Sequence, residues 1–101
     1  MIETIDINAK EWFDRINGNS YFSAVIILNY GKPDAEKILV PFQYGYGEHY
    51  IDIAKACLVE SNKISVGHAQ PLWRYCQENN IILRTYKQTG CKKRELLNYS
   101  R

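Results

Sequence analysis

Apolar residues at Ala9, Trp12, Phe13 and Ile16 fall at i, i+3, i+4 and i+7, the spacing of one stripe along a helix. Asn8 and Glu11 stand in capping-box order at its start, and Asn17-Gly18 supplies a left-handed stop at its end. This pattern predicts a first helix over 8–16. The pattern changes over residues 20–30. Phe22, Ala24, Ile26, Leu28 and Tyr30 share one face of a strand, and Tyr21, Ser23, Val25, Ile27 and Asn29 share the other. The mixed second face predicts a central position in a sheet. Pro33 sets a turn over 31–36, and residues 37–42 return as the partner strand, with Pro41 marking its end or an edge.

A second helix is expected over 48–60, with Tyr50, Ile51, Ala54, Cys57 and Leu58 inward. Pro71 suits the first turn of a short third helix that buries Leu72, Tyr75 and Cys76. Residues 81–87 alternate as a third strand, Thr89-Gly90 breaks it, and 91–99 form a short basic helix or an ordered tail. The expected architecture is α+β: a small three-stranded antiparallel sheet with helices packed on one face, in the order α-β-β-α-α-β. At 101 residues this is a single domain, 1–101, with a basic C-terminal tail over 88–101.

Composition narrows the class. A hydrophobic fraction of 46% with 13% aromatics suits a folded chain rather than a disordered one. No run of 18 apolar residues is present, so no membrane span is expected. The first residues lack a basic-then-apolar leader, which points to the cytoplasm. Three cysteines without a C-x-x-C read as reduced thiols, Cys57 and Cys76 packed as small hydrophobes and Cys91 the more reactive in its basic setting. Neither these nor His49 and His68 show ligand spacing, so no metal and no cofactor is expected. Charge is uneven. Residues 84–101 hold Arg84, Lys87, Lys92, Lys93, Arg94 and Arg101 against Glu95 alone, a net +5 that leaves −3 on the rest of a chain of net +2. Such a tail suits an acidic partner or nucleic acid, or simply a solvated, solubilising end.

The densest chemistry lies in Pro41-Phe42-Gln43-Tyr44-Gly45-Tyr46-Gly47-Glu48-His49-Tyr50. Glycine lets a partner approach the main chain, and tyrosine offers a flat apolar face with a hydrogen-bonding tip. Tyr44, Tyr46, His49 and Tyr50 are the recognition residues this loop offers, with Lys92, Lys93 and Arg94 as electrostatic support. A G-x-G before a helix also fits a phosphate or carboxylate cradle, though a third glycine and a following lysine are missing. The same residues equally suit a tight strand-to-helix turn. His49 beside Glu48 is no catalytic dyad, because adjacent helical residues point apart, and no nucleophile accompanies it. No catalytic residue is assigned, and an enzyme is not expected.

Two resemblances bear on this. The order α-β-β-α-α-β is similar to one version of the KH RNA-binding fold, which clamps backbone with G-x-x-G between consecutive helices. The equivalent Gly67-His68-Ala69-Gln70 lacks the second glycine, so that reading is discounted. Second, Trp12-Phe13, Asn17-Gly18-Asn19-Ser20-Tyr21, Pro41-Phe42-Gln43-Tyr44-Gly45-Tyr46-Gly47-Glu48-His49-Tyr50 and Lys92-Lys93-Arg94-Glu95-Leu96 together resemble a pattern of small phage-encoded accessory proteins. That resemblance implies no activity and no catalytic residue. It implies a phage or prophage origin and, by analogy, action by binding a host factor. With the aromatic-glycine loop, the uneven charge and the lack of a catalytic set, the expectation is a protein that inhibits or modulates a host defence complex, anti-CRISPR-like or otherwise anti-defence. Expected partners are a host protein or ribonucleoprotein complex; nucleic acid or a nucleotide is the alternative, with no membrane, and a homodimer is open.

Overall fold

Ile5, Ile7 and Ala9 are buried, while Asp6, Asn8 and Lys10 between them face the other way. Period two is the signature of a strand. The computed structural model describes residues 1–100, so Arg101 of the basic tail lies outside the described residues. Strand β1 spans Thr4–Asp14, β2 Asn19–Leu28 and β3 Glu36–Tyr44. Helices α1 (His49–Glu60) and α2 (Leu72–Glu78) follow, then β4 (Ile82–Gln88) and α3 (Lys93–Tyr99). The strands form one sheet in the order β3-β2-β1-β4, with β1 antiparallel to β2 and parallel to β4.

The expected α-β-β-α-α-β order and three-stranded antiparallel sheet are thereby corrected. The order is β-β-β-α-α-β-α, and the sheet has four strands and is mixed. The error lies in residues 8–16. A helix would gather Ala9, Trp12, Phe13 and Ile16 on one side, but the sheet scatters them: Ala9 enters the core, Phe13 is 51% exposed and Ile16 is 94% exposed. Asn17-Gly18 closes a hairpin instead of a helix. The Asp14 carboxylate accepts from the Ile16 N–H at 3.0 Å and the Asn17 side-chain amide at 2.8 Å. That amide holds the Asp14 carboxyl below the usual carboxylate range. Gly18, at φ +71°, donates its N–H to the Asp14 carbonyl at 2.7 Å and turns the chain into β2.

One sheet face carries the main core. Ile5, Ile7, Ala9, Phe22, Ala24, Ile26, Leu28 and Val40 pack beneath Tyr50, Ala54 and Leu58 of α1, Ile64 of the following loop, and Leu72 and Cys76 of α2. The expected inward stripes of these two helices are largely present, although Ile51, Cys57 and Tyr75 are only partly buried. The helices do not all share this face, which is a second correction. Helix α3 covers the opposite side, where Leu96 is fully buried and its carbonyl accepts the Ser23 hydroxyl at 2.8 Å. Cys91 is buried just ahead of α3, and burial pushes its thiol up first, with Glu95 adding to the effect. Burial thus works against ionisation of the Cys91 thiol despite its basic neighbours. Among the described residues, no helix is long and apolar enough to cross a membrane.

Candidate functional site

A β-bulge decides what the second face presents. Phe22 pairs with Gln43 and Ala24 with Val40, so Pro41 and Phe42 together oppose Ser23. The extra residue shifts the alternation of β3. Val40 still points into the core, but Phe42 crosses to the other face, where its ring stacks on Tyr21 at 5.2 Å and 9°. Tyr21 in turn stacks on Trp12 at 5.5 Å and 25°, its cross-strand partner in β1. Tyr44 meets Tyr21 edge-on at 5.9 Å. Four aromatics thus form a ladder across three strands, near the end of the sheet where α3 docks. Lys93 of α3 lies 5.8 Å from the Trp12 ring centre and 6.0 Å from that of Phe42. Lys10 from the same face reaches the Tyr99 ring at 4.9 Å and ties the far end of α3 to the sheet.

The sequence-derived candidates divide. Tyr44, 56% exposed, and Lys93 meet on the ladder. Lys92, the N-cap of α3, and Arg94 in its first turn are exposed on either side of Lys93. Tyr46, 68% exposed, and His49 occupy the turn into α1, where the His49 ring stands perpendicular to Phe22 at 6.3 Å. Tyr50 is buried under the Lys87 ammonium and packs in the core. Trp12, Tyr21 and Phe42 belong to the site, and sequence reasoning placed Trp12 in a helix. The signal available was Asn17-Gly18 between two alternating runs, the strongest short-range hairpin pattern, which sets Trp12 opposite Tyr21.

The loop glycines have specific structural work. A Cβ on Gly45 would lie 2.7 Å from the fully buried Phe22 ring and 2.8 Å from the His49 ring. Gly47 takes φ +61°, and its carbonyl accepts the Lys87 ammonium at 2.7 Å. Gly45→Ala is expected to cost about 1–3 kcal/mol by overpacking, a fall in Tm of roughly 4–24 °C for a domain of this size. Thermal melting followed by circular dichroism checks it; an unchanged Tm would mean that Phe22 can move aside.

The phosphate-cradle reading finds poor electrostatics. Glu48 is the N-cap of α1 without a side-chain cap bond, and Asp52 sits in the first turn. Both line the shallow hollow formed by Tyr44, Gly45, Tyr46 and His49, so an anion there would face two carboxylates. No group of three or more His, Cys, Asp or Glu able to hold a metal occurs among the described residues. The structure defines an α+β chain with an aromatic ladder on one sheet face and a basic helix at its rim. Compared with known proteins, it matches no family model, no curated protein and no solved structure.

Proposed function

We propose that this chain acts by binding, as a phage-type accessory protein that engages a protein or ribonucleoprotein complex in the host cytoplasm and inhibits or modulates it. The observation that carries this reading is the ladder of Trp12, Tyr21, Phe42 and Tyr44 beside Lys93, on a partly open sheet face. Aromatic side chains with an adjoining cation are the composition of protein-binding hot spots. A host defence complex is the class suggested by the phage-type sequence pattern, and that step rests on resemblance alone.

Ring geometry favours protein over nucleic acid. Neighbouring rings stack on each other at 5.2 and 5.5 Å, so the faces between them are covered. Nucleic-acid platforms leave aromatic faces free for bases. The exposed Lys92, Lys93 and Arg94 keep the nucleic-acid reading as the competitor.

Affinity capture from bacterial lysate, with and without nuclease and across a salt series, separates the two. The expected result is a defined protein set that survives nuclease and is lost in the doubly substituted Tyr44→Ala, Tyr46→Ala chain. Capture unchanged by that pair of substitutions removes the loop from the site. Binding to nucleic acid alone, falling steeply with salt, replaces the protein reading with the nucleic-acid one.

A further inference from the structure

The two edges of the sheet are built differently. Strand β3 carries Pro41 and a bulge, both devices that discourage another strand from pairing. Strand β4 has none of these. It runs in unbroken register with β1 from Ile82 to Gln88, without proline, glycine or bulge. Its two charges are neutralised inside the chain. Arg84 makes a two-pronged contact with Asp6 at 2.6 and 2.9 Å, and Lys87 pairs with Glu11 at 2.5 Å. Ile82 and Tyr86 are 59% and 60% exposed on the strand, and Thr85 between them is exposed as well.

The backbone of β4 is set for a partner. The Ile82 N–H donates to the Glu3 carbonyl at 3.0 Å, so Ile82 faces β1. Strand alternation turns Arg84, Tyr86 and Gln88 the same way and leaves the N–H and C=O groups of Leu83, Thr85 and Lys87 pointing outward. No strand lies beyond them.

We propose that this edge is closed by β4 of a second copy, antiparallel, about a two-fold axis through Thr85. That centre makes the strand self-complementary. Thr85 pairs with Thr85 of the second copy, and Leu83 with Lys87, and these are the three residues whose backbone groups face outward. On the open face, Arg84 falls opposite Tyr86 of the second copy twice over, placing a guanidinium against a phenol ring. Ile82 falls opposite Gln88. No like charges oppose each other. Centring the axis on Lys87 or Arg84 instead would set like charges face to face, and centring it on Leu83 or Tyr86 would pair fewer residues of β4, whereas Thr85 is its middle residue. Such an axis stands perpendicular to the sheet, and the two copies form one eight-stranded sheet with both aromatic ladders on the same side.

Light scattering on eluted protein tests this. The expected mass is twice the 11.8 kDa of one chain for the unaltered protein, and 11.8 kDa for Thr85→Pro. The proline removes an N–H that points away from β1, so no bond of the sheet is lost. A second variant keeps the proposal testable if that chain does not fold. In Thr85→Cys the two introduced thiols sit on the axis with Cα atoms about 5.5 Å apart, within the roughly 4.4–6.8 Å a disulfide spans. Mild oxidation should therefore cross-link them. In Gln88→Cys the thiols are separated by roughly 20 Å along the strands and should not cross-link. A monomer at every concentration, a dimer indifferent to Thr85→Pro, or Gln88→Cys cross-linking as readily as Thr85→Cys overturns the proposal.

Discussion

Lys87→Ala is expected to destabilise the fold by about 3 kcal/mol, a drop in Tm of roughly 12–24 °C. The Lys87 and Glu11 side chains are only 18% and 15% exposed and meet at 2.5 Å across β4 and β1. The Glu11 oxygen in this contact is shut off from water and has no hydrogen-bond partner besides the ammonium. Removing Lys87 therefore leaves a buried carboxylate uncompensated, which costs far more than the pair itself contributes. It also frees the Gly47 carbonyl and uncovers the Tyr50 ring, loosening the turn that carries Tyr46 and His49. Replacing both partners, Lys87→Met with Glu11→Leu, should bring stability back to within about 1 kcal/mol of the unaltered chain. Urea titration of the single and double variants checks this. Equal losses in both would assign the effect to the Gly47 contact, not to the stranded charge.

Leu96→Ala is expected to cost about 2–5 kcal/mol. Leu96 is fully buried on the face opposite the main core, where α3 is the covering helix. Besides Leu96, α3 is held by the Ser23 hydroxyl on the Leu96 carbonyl, by Lys10 on the Tyr99 ring and by Lys93 beside Trp12 and Phe42. Shifting the helix leaves the buried Ser23 hydroxyl without its acceptor. It also withdraws Lys93 from Trp12 and Phe42. Stability and site are thus linked through one side chain. In a Trp73→Phe background, chosen because Trp73 is 60% exposed and far from the ladder in sequence, Trp12 fluorescence should shift toward that of a solvated indole. A large fall in Tm with unchanged Trp12 emission would separate helix docking from the ladder.

Much of the fold is legible where one periodicity rules. Residues 20–28, β-rich and apolar on both faces from Ala24 onward, form an interior strand, β2, and the stripe Tyr50, Ala54 and Leu58 forms the buried face of α1. Legibility fails where two periodicities coincide. Ile5, Ile7 and Ala9 alternate with Asp6, Asn8 and Lys10, yet Ala9, Trp12, Phe13 and Ile16 also fit a helix behind a capping pair. Tertiary pairing decides between them: β1 finds partners on both sides and becomes, like β2, an interior strand, burying Ile5 and Ile7 completely. The parallel β4 is a second hidden feature, because a strand carries no local mark of its direction.

The site follows the same logic. Tyr44, Tyr46 and His49 are visible as an unusual cluster, and the structure exposes them. The ladder is not visible, since it depends on a bulge that moves Phe42 across the sheet and on a hairpin that sets Trp12 beside Tyr21. The basic tail is only partly free. Arg84 and Lys87 are neutralised by Asp6 and Glu11, leaving Lys92, Lys93 and Arg94 as its exposed charge within the described residues.

The central claim is that the ladder and its rim bind a partner. The most direct measurement is the dissociation constant of the captured partner for the unaltered chain and for Tyr44→Ala and Lys93→Glu, each first shown to melt at an unchanged temperature. Both residues are exposed on the ladder, so neither substitution opens the core. At least one should weaken binding by about 30-fold or more, the effect of losing a residue that contributes 2 kcal/mol or above at a hot spot. Affinities within a factor of about two of the unaltered chain for both variants would contradict the account and place the binding surface elsewhere.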